Sequence, residues 1–205
     1  NLIIPSNLST TMATNQNTQQ FDIFLRGEQI DLVVLNQEIV ETTDWYKWFN
    51  DELNTMRMQQ HYFPNSQAAQ LKYLEESING SRTRIQLGIV KKDCNIFCGV
   101  TSLEGLDFIN RNASVSLIIG EASCRDLHTA YEAIKLMLIH GFFTLNLHKI
   151  HAGYIETLDA WGTFLKNTFN FTHEGIQKEH VFKDGQYLDL IHLGLTIDAY
   201  QKKKN

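Results

Sequence analysis

Cysteine is scarce in this sequence, with three among 205 residues. An odd, sparse set of this kind does not form the disulfide framework of a small secreted protein. Cys94 and Cys98 have the spacing of half a zinc site, but no second Cys or His pair follows at finger spacing. We therefore predict free thiols, no metal site and a reducing compartment, the cytoplasm.

Excess positive charge and long apolar runs are also lacking. The net charge is −5, and the one dense basic cluster, Lys202–Lys204, lies at the end of the chain. Nucleic-acid binders usually carry a basic face, so nucleic acid is not expected as the main partner. The densest apolar run, residues 134–143, is interrupted by His140 and Gly141 and is too short to span a bilayer, so no membrane partner is expected.

The composition is that of one globular domain, with 43% hydrophobic and 20% charged residues. Residues 1–20 are polar and have no periodicity after Ile4, which is typical of a flexible tail or an interdomain linker. The linker interpretation implies an upstream domain as a partner, and both interpretations stay open. We assign residues 21–200 to the domain and residues 201–205 to a basic tail.

Hydrophobic periodicity predicts the secondary structure. Apolar residues at i, i+3 and i+4 indicate helices, and period two indicates strands. The Asp-Gly pair at residues 184–185 is a strong hairpin signal. The first predicted elements are a hairpin or bent strand at 24–35, a helix that begins at Thr43 or Asp44 and runs through Phe49, and a helix that begins at Asn65 or Ser66 and ends at Asn79. Three strands follow, at 85–90, 96–103 and 113–119. The remaining elements are a helix at 126–144, a strand at 148–155, a helix at 158–169, and hairpin strands at 171–182 and 187–195.

This order of elements predicts an α/β fold. Three strands joined by short turns form an antiparallel meander. The alternating strands and helices that follow extend it into a mixed sheet with helices on both faces.

Several segments in this order carry a family resemblance. They are Asn112-Ala113-Ser114 followed by SLIIGE, Glu132-Ala133 in the long helix, Leu145 to Ile150, and Glu174-Gly175 with the hairpin KEHVFKDGQYLDLIHLGL. Over residues 24–197 the chain resembles the GNAT N-acetyltransferases. The early stretches WFNDEL and QHYFPN are similar to a narrower group, which acetylates the amine of nucleotide-linked amino sugars in pseudaminic acid-type pathways.

The resemblance implies a fold and a cosubstrate, acetyl-CoA. The fold is a mixed, mostly antiparallel sheet of about seven strands, with a splay between the family's strands four and five. The pantetheine arm would pair with the edge of strand four, and the pyrophosphate would bind at the start of the central helix. The implied cofactor-binding residues are Leu117, Ile118, Ile119, Gly120, Arg125, Asp126, Leu127, His128, Thr129, Ala130 and Asp159.

Two residues depart from the family's pyrophosphate loop, Arg/Gln-x-x-Gly-x-Gly/Ala. His128 replaces the first glycine, and Asp126 stands where relatives often have glycine. An Asp at this point can cap the helix itself and repel phosphate, which would weaken binding by roughly tenfold to a hundredfold. A protonated His128 would offset this. If the domain has lost its cofactor through these two residues, Asp126→Gly combined with His128→Gly should restore the loop and improve CoA binding.

The candidate catalytic and substrate-binding residues each have a plainer alternative. Glu104 and Glu156 lie at strand ends, where a carboxylate is either a base or simply solvated. His128 is either a proton carrier or an exposed helix-start residue. His61 and Phe63 either line the sugar pocket or pack under a helix. His180 lies in a segment that contacts substrate, contacts a second subunit in a homodimer, or holds the hairpin.

The resemblance favours one function and leaves two others open. The favoured function is transfer of acetyl from acetyl-CoA to the amine of a nucleotide-linked amino sugar, a small-molecule partner. The first alternative is a GNAT-like domain that has lost its cofactor and binds beside a catalytic neighbour. The second is acetylation of protein N-termini, against which the QHYFPN stretch argues.

Overall fold

The computed structural model describes residues 20–202 except residue 57 and residues 59–61. The predicted tail or linker therefore lies outside the described residues, apart from Gln20. His61 also lies outside them. Of the predicted basic tail, Gln201 and Lys202 are described, and they form the end of a short helix.

The described chain forms one eight-stranded sheet with helices on both faces. The strand order is β1-β2-β3-β4-β5-β6-β8-β7, and all neighbouring pairs are antiparallel except β5 with β6. The strands are β1 Ile23–Arg26, β2 Ile30–Val34, β3 Arg84–Lys91, β4 Ile96–Asp107, β5 Asn112–Ile119, β6 Lys149–Ile155, β7 Thr172–Lys183 and β8 Gln186–Thr196. The α-helices are α1 Gln37–Thr42, α2 Glu52–Thr55, α3 Gln67–Tyr73, α4 Leu127–Ile139, α5 Asp159–Phe169 and α6 Ile197–Lys202.

The predicted mixed α/β fold is confirmed, with eight strands instead of about seven. The added strand arises because residues 24–35 form the hairpin β1–β2 and not one bent strand. Asp184 and Gly185 both have positive φ, 50° and 81°, as the predicted Asp-Gly turn requires. Asn170 ends α5 in the left-handed region, with φ 66°.

Helix starts follow the predicted capping residues in two cases and differ in one. The Ser66 hydroxyl accepts from the Ala69 amide at α3. The Asp126 carboxylate accepts from the Thr129 amide at α4. The predicted helix through Phe49 is present as a 3₁₀ helix, Trp45–Phe49, and it follows an unforeseen α1. Asp44 precedes it but makes no side-chain capping hydrogen bond.

The 3₁₀ geometry of this segment has a packing cause. In a 3₁₀ helix, residues three apart lie on the same side. Trp45 and Trp48 are both buried, and both rings contact Phe97 of β4, with Trp48 stacked at a centroid distance of 5.3 Å. Three residues per turn therefore place both tryptophan rings on the side of the helix that faces Phe97.

The core has a large layer on each face of the sheet. The helices α4 and α5 cover one face, where they pack on inward residues of β2 to β6 and β8. The segment from α1 to α3 covers the first half of the other face, and Val100 and Ile118 lie beneath it. We call this second side the open face, because β5 exposes Ser114 and Ser116 there.

The neighbouring strands β5 and β6 diverge part way along their length. They are paired only from Asn112–Ser114 to Lys149–His151, and the described residues beyond these share no register pair. β6 instead continues along β8 as far as Ile155. The predicted splay between the two parallel strands is therefore present, and its apex lies at Ser114 and His151.

The three cysteines are free thiols, as predicted. Cys98 and Cys124 are buried, whereas Cys94 is exposed. No helix in the described ranges combines the length and the apolar character needed to cross a membrane.

Candidate functional site

The splay brings most of the predicted cofactor-binding residues to one junction. Leu117 to Gly120 lie on the diverging end of β5, and Arg125 to Ala130 connect that end to the first turn of α4. The Arg125 guanidinium holds the junction together, because it donates to the Ile119 carbonyl at 3.2 Å and the Gly120 carbonyl at 2.8 Å. Asp159 begins α5, where its carboxylate accepts from the Tyr154 hydroxyl at 3.4 Å.

The Asp126 carboxylate at the start of α4 is both a cap and one half of an ion pair. It accepts from the Thr129 amide at 2.8 Å and from Lys91 Nζ at 3.0 Å. Partial burial alone would raise the pKa of Asp126, but the hydrogen bonds from Thr129 and Lys91 lower it below its ordinary value. The expected capping role is present. The expected repulsion of phosphate is not supported, because Lys91 compensates the charge.

An anion could still reach the start of α4. No hydrogen bond within the described chain is seen to the amides of Leu127 and His128, and both side chains are exposed. The two helix-start amides lie at the positive end of α4, beside the compensated Lys91–Asp126 pair, and such a helix start is of the kind that binds phosphate groups. The residues at this junction therefore fit the pyrophosphate implied by the family resemblance.

The open face carries a polar network that was missed in the sequence. Its side chains lie in two rows across β3, β4 and β5, because register partners share a face of the sheet. Strand alternation combined with the register would have been needed to find it. The first row is Arg84, Glu104 and Ser114, and the second row is Gln86, Ser102 and Ser116.

Glu104, a predicted candidate base, lies inside this network. Its carboxylate is 3.5 Å from Arg84 Nη2 and accepts from the Ser102 hydroxyl at 2.8 Å. The Ser102 hydroxyl also contacts the Ser116 hydroxyl at 2.5 Å. On the other side of the network, Arg84 donates to the Tyr73 hydroxyl. The network is rich in hydroxyl groups, and its carboxylate is already paired.

The other predicted residues lie in separate places. His128 lies exposed at the start of α4, and this helix packs against the face opposite Glu104. Glu156 follows β6 and accepts from the Asp189 amide at 3.0 Å, so it holds β8. His180 is exposed on β7, and Phe63 is 84% exposed on the loop before α3.

The short helix α2 is attached to both sides of the site. Arg125 Nη2 donates to the side-chain oxygen of buried Asn54 at 2.5 Å. Lys183 of β7 donates to the carbonyls of Thr55 and Met58 at 2.7 and 2.8 Å. The segment that leads to the QHYFPN loop is therefore fixed by the cofactor junction and by the last hairpin.

Comparison with known proteins is consistent with this architecture. The family model for the acetyltransferase (GNAT) domain matches residues 33–160, which is more than half of the chain. Among curated proteins, none matches the chain.

Solved structures with the same fold are similar along nearly their whole length. Spermidine N-acetyltransferase from Vibrio cholerae, in complex with CoA and spermine, is 19% identical with a TM-score of 0.75, covering 85% of this chain and 99% of that one. A probable acetyltransferase is 18% identical with a TM-score of 0.69, covering 84% of this chain and 95% of that one. With the match of the family model, the chain belongs to the GNAT acetyltransferase family.

Proposed function

We propose that residues 21–200 form a catalytic domain that transfers acetyl from acetyl-CoA to the primary amine of a nucleotide-linked amino sugar. The acetyl thioester would lie in the splay, and the amine would approach from the open face. The observation that carries the acceptor class is the hydroxyl-rich network around Glu104, whose carboxylate is already paired with Arg84.

The cofactor half of the proposal rests on the junction of β5 and α4. The Leu127 and His128 amides offer hydrogen-bond donors to the pyrophosphate, and Lys91 neutralises the Asp126 carboxylate beside them. The diverging end of β5 offers backbone groups to the pantetheine arm. Acetyl-CoA supplies the activated acetyl group when bound. The protein contributes orientation of the thioester and of the amine.

The acceptor half rests on charge. A polyamine carries several positive charges and is best bound by carboxylates that lack another partner. Here Glu104 is paired with Arg84, and Glu174 of β7 is paired with Lys149 at 2.6 Å. Ser114 and Ser116, which are exposed, instead offer neutral hydroxyls, which suit the hydroxyl groups of a sugar.

A nucleotide also needs a surface for its base. Tyr62 and Phe63 are 60% and 84% exposed on the loop before α3. Exposed aromatic rings can stack on a base, and such stacking contributes roughly 1–3 kcal/mol per base. These rings support a nucleotide-linked acceptor over a small aliphatic amine.

The acceptor class is tested by comparing amines in one assay. CoA release is measured with acetyl-CoA and either a UDP-linked sugar bearing a free primary amine, spermidine, or a peptide with a free N-terminus. The UDP-linked amino sugar is expected to give the highest kcat/KM. Spermidine as the best acceptor would overturn the acceptor class while leaving acetyl transfer intact. The peptide as best acceptor would favour N-terminal acetylation, and no CoA binding would favour a scaffold role.

Lys91 provides a separate test of the pyrophosphate site. Lys91→Ala leaves the Asp126 carboxylate unpaired beside the phosphates, so CoA should bind about tenfold more weakly, which corresponds to roughly 1.4 kcal/mol. Lys92→Ala, which removes an ammonium that contacts Gly27 and Asp31 instead, is the control and should not change CoA affinity. Calorimetric titration with CoA measures both. Equal affinities for the parent and Lys91→Ala would place the pyrophosphate elsewhere.

A further inference from the structure

The first row of the open face continues past Ser114 across the apex of the splay. The register pairs Glu104 with Ser114, Ser114 with His151, and His151 with Gly194. Partners across a sheet share a face, and His151 is on the side opposite the core residues Ile150 and Ala152. His151 therefore lies beside Ser114, on the side from which an acceptor amine would approach.

Two features of the last hairpin bring a carboxylate to His151. A register shift between His173 and Gly175 places Glu174 at a β-bulge, and bulges redirect side chains. The Glu174 carboxylate lies over Gly194, where a Cβ on that residue would come within 2.3 Å of it. Glu174 Oε2 is 3.6 Å from His151 Nδ1, and Oε1 is 2.6 Å from Lys149 Nζ.

We propose that His151 is the general base for the acceptor amine, with Glu174 as the positioning residue that orients its ring. The proposal rests on the proposed acetyl transfer but not on the identity of the amine. Glu174 faces Nδ1, so Nε2 remains for the acceptor. Three features support the pairing of Glu174 with His151 beside the acetyl site. They are the β-bulge at Glu174, the glycine at residue 194 and the position of His151 at the splay apex.

The proton and electron balance is simple. His151 Nε2 accepts one proton from the acceptor ammonium, and the freed lone pair forms the new C–N bond at the acetyl carbon as the C–S bond breaks. A second amine proton ends on the departing sulfur, and the imidazolium returns its proton to solvent. Glu104 is about 10 Å away, because two strand spacings separate it from His151.

The charges around His151 favour the neutral imidazole. Partial burial lowers the pKa of His151, the neighbouring Lys149 lowers it further, and Glu174 opposes this shift. His192 of β8 also faces His151 and lowers the pKa. A neutral imidazole at pH 7 is the form that can accept a proton.

The first experiment measures titration in the ligand-free protein by NMR. The His151 ring resonance, identified by its loss in His151→Ala, should titrate below the ordinary value of about 6.5. Glu174→Gln should move its pKa lower still, because a carboxylate that favours the imidazolium is removed. A pKa at or above 6.5 that does not respond to Glu174→Gln overturns the proposal, whatever the enzyme acetylates.

The second experiment uses the amine that the parent protein acetylates best. His151→Ala should lower kcat by about a hundredfold or more, remove the acidic limb of the pH–rate profile, and recover activity with added imidazole. Gly194→Ala should shift the acidic limb in the same direction as Glu174→Gln, because the added Cβ displaces the carboxylate. His173→Ala is the control, since His173 is exposed on β7 and pairs with Leu193 on the other face.

The outcomes separate the two proposals. Activity on an amine other than the sugar overturns the acceptor class, while a hundredfold loss in His151→Ala on that amine still supports the base. An unchanged kcat and an unchanged pH profile in His151→Ala overturn the base, even if the sugar is acetylated. If the parent acetylates no amine, acetyl transfer fails, and the base assignment falls with the reaction it serves.

Discussion

Replacement of Glu132 by alanine is expected to lower the free energy of unfolding by about 3 kcal/mol. Glu132 lies in the middle of α4 and is buried, yet it is charged. Its carboxylate accepts hydrogen bonds from the amides of Glu28, Gln29 and Ile30 in the β1–β2 turn. Removing the carboxylate leaves these amides without their acceptor and opens a cavity beside the turn.

The measurement is urea unfolding monitored by circular dichroism. A loss of about 3 kcal/mol should appear in thermal scans as a fall in Tm of roughly 6–12 °C. Glu132→Gln keeps the side-chain volume but removes the charge. Its loss in free energy of unfolding should be more than half of the loss in Glu132→Ala. Glu75→Ala removes an exposed helical glutamate and should change stability by less than about 0.5 kcal/mol. A loss below about 1 kcal/mol in Glu132→Ala would mean that water replaces the carboxylate at the turn.

The hydrogen bonds of this carboxylate explain why a glutamate stands at residue 132, in the family-like pair Glu132-Ala133. Glu132-Ala133 was recognised as a family-like pair inside a helix, where a charged residue on an apolar face is unexpected. The amides that Glu132 binds are more than 100 residues away in the chain. A contact of this kind depends on tertiary structure, so periodicity could locate the helix but could not assign the residue its role.

The same distinction separates the predicted and unpredicted parts of the fold. Strands, caps and the Asp-Gly turn depend on short-range signals, and these signals predict the geometry observed at Ser66, Asp126 and Asp184. The 3₁₀ geometry at Trp45 depends on Phe97, about fifty residues later. Local propensity contains no information about such a partner.

The candidate site follows the same rule. The anion loop is contiguous in sequence, so Arg125 to Ala130 could be aligned directly. Lys91, which pairs with Asp126, is 35 residues away in the chain, so the sequence offers His128, and not Lys91, as the group that offsets the Asp126 charge. Likewise, His151 and Glu174 meet through a β-bulge and a glycine at residue 194, neither of which a period-two pattern predicts.

Gly120→Ala is expected to lower the free energy of unfolding by about 3 kcal/mol and to weaken CoA binding at the same time. A Cβ at Gly120 would lie 1.9 Å from the Trp48 ring, a distance that no small adjustment removes. Trp48 is held in turn by its stacking on Phe97. Relief of the clash must therefore displace the end of β5, whose Gly120 carbonyl accepts from Arg125. The cofactor junction would be displaced with it.

A double-mutant cycle distinguishes this clash from a general loss of glycine flexibility. Trp48→Leu alone should destabilise by removing a buried ring, but in its background Gly120→Ala should cost much less than in the parent. The coupling energy between the two sites should therefore exceed about 1 kcal/mol in urea unfolding. Gly175→Ala is the matched control for stability, because nothing lies within 4 Å of a Cβ there. If the two substitutions at residues 48 and 120 were additive, the packing of Trp48 over the end of β5 would not be what requires glycine at this junction.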